Sequence, residues 1–181
     1  MNAEEIKNCL LLLFRQARIN IPFYIFSANT MWKDISIKSY PILIIQNTDR
    51  ENDPGRHWIA YVVLSRNNCE YWDSYGNPIT MYKYVQQPTK YIIKENCLTL
   101  QSDHSYLCGV YCIYYVYHRA LGFSYREILD SFSPNVILND KKMCKFIHSI
   151  THMNNNHRFC STSKYKKCQF NVCKSMCPDF Y

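Results

Sequence analysis

The sequence is poor in glycine and contains no apolar run long enough to cross a membrane. Only four of its 181 residues are glycine, so each is expected where the backbone needs one. The most apolar stretch near the start, CLLLLF from Cys9 to Phe14, is too short for a membrane span. It follows Glu4 and Glu5, whereas a signal peptide would begin with basic residues. We therefore expect an intracellular protein that is neither secreted nor inserted in a membrane.

Cysteine is abundant, with ten residues. Without a signal peptide, this number argues against a secreted disulfide framework, so we expect most of them to be free thiols in a reducing compartment. An apolar content of 48% and an aromatic content of 15% indicate a globular chain with a core. The net charge of +7 mildly favours binding to polyanions and is not in itself a nucleic-acid-binding motif.

Hydrophobic periodicity predicts an α+β fold with a central mixed sheet flanked by helices. Helical spacing is found near the start and after residue 107, and extended patterns fill the middle of the chain. The predicted elements are a helix over 3–18, a strand in PILIIQN, a hairpin over 57–73, a weaker strand pair in YIIKE and CLTLQ, a buried helix over 108–121 ended by Gly122, and a helix in YREILDSF.

Four polar residues lie at the ends of these elements. His57 opens the first strand of the hairpin and Asp73 closes the second, so antiparallel pairing brings the two together. Cys108 begins the buried helix, where the helix dipole favours a thiolate. Gln101, seven residues earlier, is near enough for its amide to face an oxyanion. This set predicts a cysteine nucleophile, a histidine base, a carboxylate that orients the base and an oxyanion donor.

Each of these residues also has a simpler interpretation. Cys108 alone could be a small hydrophobic residue of a buried helix, His57 a strand-end histidine, and Asp73 part of an ordinary turn. The joint order His, Asp, Gln, Cys favours catalysis, and it is the reverse of the Cys, His, Asn order of papain-like enzymes. Gly55, Gly76 and Gly109 cluster around the same positions, and Gly109 is expected to let the chain turn tightly into the helix.

The same residues resemble a known family. HW at 57–58, WDSYG at 72–76 and Q-x6-CG at 101–109 are similar to the pattern of the adenovirus endopeptidase (adenain) family and, more distantly, of the ubiquitin-like-protein proteases. The resemblance covers about residues 3–150 and is strongest over 42–122. It implies their protease fold, with the nucleophile at the N-terminus of a buried helix. It also implies His57 as base, Asp73 as orienting acid, Gln101 in the oxyanion hole and Cys108 as nucleophile.

The resemblance also implies a biological role. It suggests a monomeric endopeptidase that cleaves capsid and core precursors after small or Gly-rich motifs, in the virion and host nucleus, or in a Polinton-type element. Cys97 in CLTL resembles the cysteine that forms a disulfide with an activating peptide, and DNA is a second expected activator. Adenovirus enzymes usually have Glu where this chain has Asp73, and ubiquitin-like-protein proteases have Asp. A ubiquitin-like-protein-specific protease and a catalytically silent DNA- or capsid-binding relative are the alternatives.

The end of the chain has a different composition. We divide the chain into an adenain-like protease domain, 1–150, and a basic cysteine-rich tail, 151–181. From His157 onward the tail has five Lys or Arg residues against one Asp, a net +4. The positive charge of the tail could bind DNA. Its four thiols are spaced x7, x4 and x3 without a C-x2-C pair, so a basic arm is favoured over a zinc site and no metal is assigned. The thiols are Cys160, Cys168, Cys173 and Cys177.

Four further residues are predicted to belong to the core. Trp58 and Trp72 adjoin predicted catalytic residues, but strand alternation sends neighbours to opposite faces, so both are expected inside. The alternative for Trp58 is a wall of the substrate groove. Cys112 lies one helical turn beyond Cys108 and is expected in the core. The competing interpretation of Cys97 is likewise a strand cysteine packed in the core.

Overall fold

The computed structural model describes residues 1–30, 38–53, 55–86 and 90–155. This part of the chain contains four α-helices, five strands and a short 3₁₀ helix at Ile79–Met81. The other elements, in chain order, are α1 (Ala3–Ala17), β1 (Phe23–Phe26), β2 (Ile42–Asn47), β3 (Trp58–Val63), β4 (Asn68–Trp72), β5 (Ile92–Glu95), α2 (Cys108–Ala120), α3 (Tyr125–Asp130) and α4 (Val136–Asn155). The predicted α+β class is confirmed.

The five strands form one mixed sheet in the order β1-β2-β3-β4-β5. The two outer pairings, β1 with β2 and β4 with β5, are parallel, and the inner pairings are antiparallel. β3 and β4 form the predicted hairpin, with Ala60 opposite Trp72. His57 directly precedes β3 and Asp73 directly follows β4, so both residues lie at the same end of the sheet.

Side chains of the sheet alternate between two hydrophobic clusters, one on each face. On β3, Trp58, Ala60 and Val62 belong to the cluster that also contains the helices. Ile59 and Tyr61 belong to the cluster on the other face. α2 packs on the helical side, against β3 and α1. Its residues from Cys108 to Val116 are all buried, which confirms the predicted buried helix.

The helix α1 is fixed by its own N-terminus as well as by its apolar face. The Asn2 side chain accepts from the backbone N–H of Glu5 at 2.9 Å, and the Glu5 carboxylate accepts from the Asn2 N–H at 2.8 Å. This reciprocal capping satisfies two otherwise unpaired donors. The buried face of α1 packs against α2 and consists of Ile6, Cys9, Leu10, Leu13 and Phe14.

A largely buried ion pair connects β4 to the far end of α2. The Arg119 guanidinium donates to Glu70 through Nε at 2.7 Å and through Nη2 at 3.2 Å. The Tyr115 hydroxyl donates to the same carboxylate at 2.7 Å. A shift of α2 would separate the two charges and leave each without its partner. This contact therefore helps to hold α2 against the sheet.

Two features of the fold differ from the sequence-based expectations. The strand predicted in CLTLQ is wrong: the backbone N–H groups of Leu100 and Gln101 donate to the Ser74 carbonyl, and β5 pairs with β4 instead. β1 and α4 were not predicted at all. α4 continues to Asn155, so the expected domain boundary at residue 150 falls inside a helix. The tail beyond residue 155 lies outside the described residues, and its division from the domain stays a prediction.

Candidate active site

His57 and Asp73 form a buried pair where the hairpin ends. The imidazole Nε2 lies 2.8 Å from Asp73 Oδ1, and the Asp73 side chain is fully buried. The hairpin brings the two residues to the same end of the sheet, because one precedes β3 and the other follows β4. This is the pairing that the sequence predicted. A carboxylate at this distance fixes the tautomer of the imidazole and stabilises its protonated form.

The Asp73 carboxylate is held by further donors. Oδ1 also accepts from the backbone N–H of Tyr75 at 2.9 Å, and Oδ2 accepts from the Tyr82 hydroxyl. The Asn96 side chain bonds the Asp73 main chain on both sides, accepting from its N–H at 2.9 Å and donating to its carbonyl at 2.7 Å. A buried carboxylate with this many donors is restricted to one orientation.

Cys108 is the first residue of α2 and interacts with His57. Burial alone would raise the pKa of the Cys108 thiol, but the nearby His57 ring outweighs it and lowers that pKa. Burial alone would lower the pKa of His57, but Asp73 and Cys108 raise it to about 9. The two groups therefore favour a thiolate and an imidazolium. Within the described residues His57 Nδ1 has no hydrogen-bond partner, so it is available to exchange a proton with the thiol.

Gln101 is fully buried beside the turn that follows Asp73. Its Oε1 accepts from the Ser74 hydroxyl at 2.7 Å. Its Nε2 donates to the Ser105 carbonyl at 2.7 Å and to the Tyr75 hydroxyl at 3.2 Å. The Ser105 carbonyl can only accept, so it determines which end of the amide is the donor. The structure places Gln101 next to the residues around His57, and its oxyanion role stays a prediction.

Two aromatic residues of the site were missed by the sequence reasoning. The rings of Tyr75 and Tyr82 stack on the His57 imidazole, with ring centroids 4.9 Å and 5.7 Å away. Tyr75 was part of the WDSYG motif, so its position beside Asp73 was a usable signal. Tyr82 lies nine residues after Asp73 in a loop, and no motif or periodicity marks it.

Of the three glycines expected near the site, Gly76 has the clearest backbone role. Its φ is +72°, and an added Cβ would lie 2.7 Å from the carbonyl carbon of Leu98. Gly55 also has a positive φ, whereas Gly109 does not. The expected tight turn at Gly109 is therefore wrong: this residue is helical, and an added Cβ would only touch Ile6, Met1 and Trp58 at 3.4 Å.

Of the four further residues predicted to belong to the core, three are buried there and one is exposed. Trp58 and Trp72 are both buried in the helix-side cluster, and Cys112 is fully buried in α2, so these core assignments are confirmed. Cys97 is different. The core interpretation of this residue is wrong, because its thiol is exposed and free in the loop after β5. The other free thiols among the described residues are Cys9, Cys69, Cys108 and Cys112.

The described residues contain no group of three or more His, Cys, Asp or Glu side chains that could hold a metal ion. Cys160, Cys168, Cys173 and Cys177 lie outside the described residues, so zinc binding by the tail is neither supported nor contradicted. None of the helices in the described ranges is long and apolar enough to span a membrane.

Comparison with known proteins supports a relationship to a viral cysteine protease. Over 115 residues the chain is 26% identical to a cysteine protease of African swine fever virus. The match covers 56% of this chain and 40% of that protein, so the chain spans well under half of its relative's length. No protein-family model matches. The relationship does not single out the adenovirus enzymes.

The electrostatics of the site give a direct prediction for His57. Replacement Asp73→Asn removes a nearby negative charge that helps to raise the pKa of the imidazole, so that pKa should fall from about 9. The measurement is the pH titration of the His57 ring protons by NMR. Asp53→Asn, which removes an exposed carboxylate paired with Arg50, is the control and should leave the His57 midpoint unchanged. Equal midpoints in wild type and Asp73→Asn would contradict the assigned geometry.

Proposed function

We propose that this protein is a cysteine endopeptidase that matures precursor proteins of a virus or virus-like element. The observation that carries the proposal is the buried His57–Asp73 pair beside the first residue of α2, Cys108. The raised pKa of His57 and the lowered pKa of Cys108 are what a thiolate nucleophile and its imidazolium partner require. The relationship to a viral cysteine protease supports the same chemistry.

The proposed reaction proceeds in two stages. The Cys108 thiolate attacks the carbonyl carbon of the peptide bond, and the electron pair of the C=O bond moves to the oxygen. Gln101 and the backbone N–H of Cys108 donate to that oxygen. The intermediate collapses to an acyl-enzyme, and the leaving amine takes its proton from His57. Water, deprotonated by His57, then hydrolyses the thioester and releases Cys108.

The substrates and location are proposed from the adenain resemblance. The substrates are capsid and core precursors cut after small or Gly-rich motifs, in the virion and the host nucleus, by a monomeric enzyme. The basic residues from His157 onward are proposed to hold the enzyme on DNA. Asp73, where adenovirus enzymes usually have Glu, favours the second candidate, a protease for ubiquitin-like proteins. Cleavage of a ubiquitin-like fusion, with Gly-rich capsid peptides left intact, would favour that candidate.

A thiol-reactive probe separates this proposal from a silent DNA- or capsid-binding relative. At neutral pH, iodoacetamide should modify Cys108 faster than the exposed Cys97, because the nearby His57 favours the thiolate of Cys108. Site-resolved mass spectrometry measures both rates. In His57→Ala the preference for Cys108 should disappear while Cys97 reacts as before. If Cys108 is no more reactive than Cys97 in the wild type, the proposed function is wrong.

The exposed Cys97 supports the proposed activation by a peptide. It follows β5, which ends the strand order of the described sheet, so a peptide strand could add beside it. Asn96, the preceding residue, bonds the main chain of Asp73 and links this edge to the site. A disulfide to Cys97 would raise the local concentration of the peptide.

We expect Cys97→Ser to abolish most stimulation by a cysteine-containing activating peptide and to leave the unstimulated rate unchanged, because the thiol is exposed and takes no part in the proposed reaction. Initial rates of peptide hydrolysis with and without the peptide measure this. A reducing agent should reverse the stimulation of the wild type. Stimulation that persists in Cys97→Ser and survives reduction would contradict a disulfide at this position.

A further inference from the structure

Tyr75 contacts three of the four residues predicted to form the site. Its ring stacks on the His57 imidazole at a centroid distance of 4.9 Å. Its backbone N–H donates to Asp73 Oδ1 at 2.9 Å, and its hydroxyl lies 3.2 Å from Gln101 Nε2. Ring stacking and the backbone bond would be available to phenylalanine, whereas the hydroxyl contact would not. Stacking and the backbone bond therefore do not explain why this position is tyrosine rather than phenylalanine.

The hydroxyl lies between the Gln101 amide and a main-chain carbonyl. It accepts from Gln101 Nε2 and donates to the Ser105 carbonyl at 3.2 Å. The Ser105 carbonyl also accepts from Gln101 Nε2 at the shorter distance of 2.7 Å, so it keeps a donor when the hydroxyl turns away. Ser74, bonded to Gln101 Oε1, keeps Nε2 on the side of Tyr75.

The hydroxyl is a donor at neutral pH. Burial is the main reason that the pKa of Tyr75 rises to about 12, and the charge of Cys108 is the second. The phenol therefore keeps its proton across the pH range in which Cys108 and His57 form their charged pair. A neutral O–H on a ring that stacks on His57 can stabilise negative charge that appears on a carbonyl under attack.

We propose that the Tyr75 hydroxyl is a third donor to the tetrahedral oxygen, alongside Gln101 and the backbone N–H of Cys108. The inference rests on the proposed function. As the Cys108 sulfur bonds the substrate carbon and the C=O electron pair moves to oxygen, the hydroxyl turns from the Ser105 carbonyl to that oxygen. The second N–H of Gln101, until then on the Tyr75 oxygen, donates to the same substrate oxygen. Tyr75 donates a hydrogen bond and keeps its proton, and the leaving amine is protonated by His57.

The test compares two reactions of Cys108 in the variant Tyr75→Phe. Hydrolysis of a fluorogenic peptide that the wild type cleaves forms an oxyanion, whereas alkylation by iodoacetamide forms none. We expect kcat to fall by roughly 10- to 10²-fold with KM little changed, since two donors remain. The rate of Cys108 alkylation and its pH profile should stay at wild-type values, because the ring and the bond from the Tyr75 N–H to Asp73 are retained.

Tyr114→Phe is the matched control. It removes a tyrosine hydroxyl that lies 3.4 Å from Ser131 Oγ, further along α2, and should leave both reactions unchanged. A Tyr75→Phe protein that hydrolyses peptide at the wild-type rate would overturn the inference. So would equal losses of hydrolysis and alkylation, which would assign Tyr75 to the thiolate pair or to the fold. A wild type that cleaves no peptide and shows no preferential alkylation of Cys108 would instead contradict the proposed function itself.

Discussion

Replacement of Cys108 by alanine should abolish peptide hydrolysis, with kcat lower by on the order of 10⁶-fold as for loss of the nucleophile in other acyl-transfer enzymes. Without the sulfur no acyl-enzyme can form, and the His57–Asp73 pair has no thiol to deprotonate. The fold should tolerate the change, because alanine is smaller than cysteine and a good helix former at the start of α2. Hydrolysis of a fluorogenic peptide at neutral pH is the measurement.

Cys112→Ala is the control for this prediction. Cys112 lies on the same helix one turn later, is fully buried, and has a thiol pKa raised well above its usual value by burial. It should therefore affect stability only and leave hydrolysis within a few fold of wild type. Residual hydrolysis by Cys108→Ala equal to that of Cys112→Ala would show that another residue is the nucleophile.

The second large effect is expected for Gln101→Ala. Loss of one oxyanion donor costs on the order of 10² to 10³ in turnover. Because the amide acts on charge that develops only in the transition state, kcat should fall while KM changes little. Steady-state kinetics separate the two parameters. The alkylation rate of Cys108 should not change, because the thiolate pair does not include Gln101.

A buried glutamine elsewhere supplies the comparison. Gln46 in β2 is buried, and its amide donates to the Ser27 carbonyl at 3.1 Å. Gln46→Ala should lower the free energy of unfolding by about 1–3 kcal/mol through the lost hydrogen bond and leave kcat unchanged. If Gln101→Ala lowers only the stability, as Gln46→Ala is expected to, Gln101 is a structural residue.

The sequence predicted those parts of the site that depend on short-range pattern. His57 and Asp73 bound a hairpin with a short connection, so their proximity follows from antiparallel pairing. Cys108 begins a long apolar run, so its place at the start of a buried helix was equally accessible. These residues are positioned by elements that they adjoin in the chain.

The sequence did not reveal contacts between distant loops. Tyr82 reaches Asp73 from a loop, and Asn96 bonds the Asp73 main chain across 23 residues. Neither residue lies in a motif, and loop geometry depends on the completed fold. The strand predicted at Cys97–Gln101 failed for the same reason: its apolar alternation is real, but its backbone bonds go to the turn at Ser74 rather than to a strand. β1 has only four residues, too few for a reliable period.

The ion pair between Glu70 and Arg119 has a consequence for how accurately Cys108 can be placed. Arg119 lies eleven residues after Cys108, about 16 Å along the axis of α2. A shift of α2 along its axis would separate the two charges of this largely buried pair, and an unpaired charge in such a place is costly. The Glu70–Arg119 pair therefore restricts movement of α2 along its axis. A contact at the C-terminal end of the helix helps to determine where the Cys108 sulfur lies relative to His57.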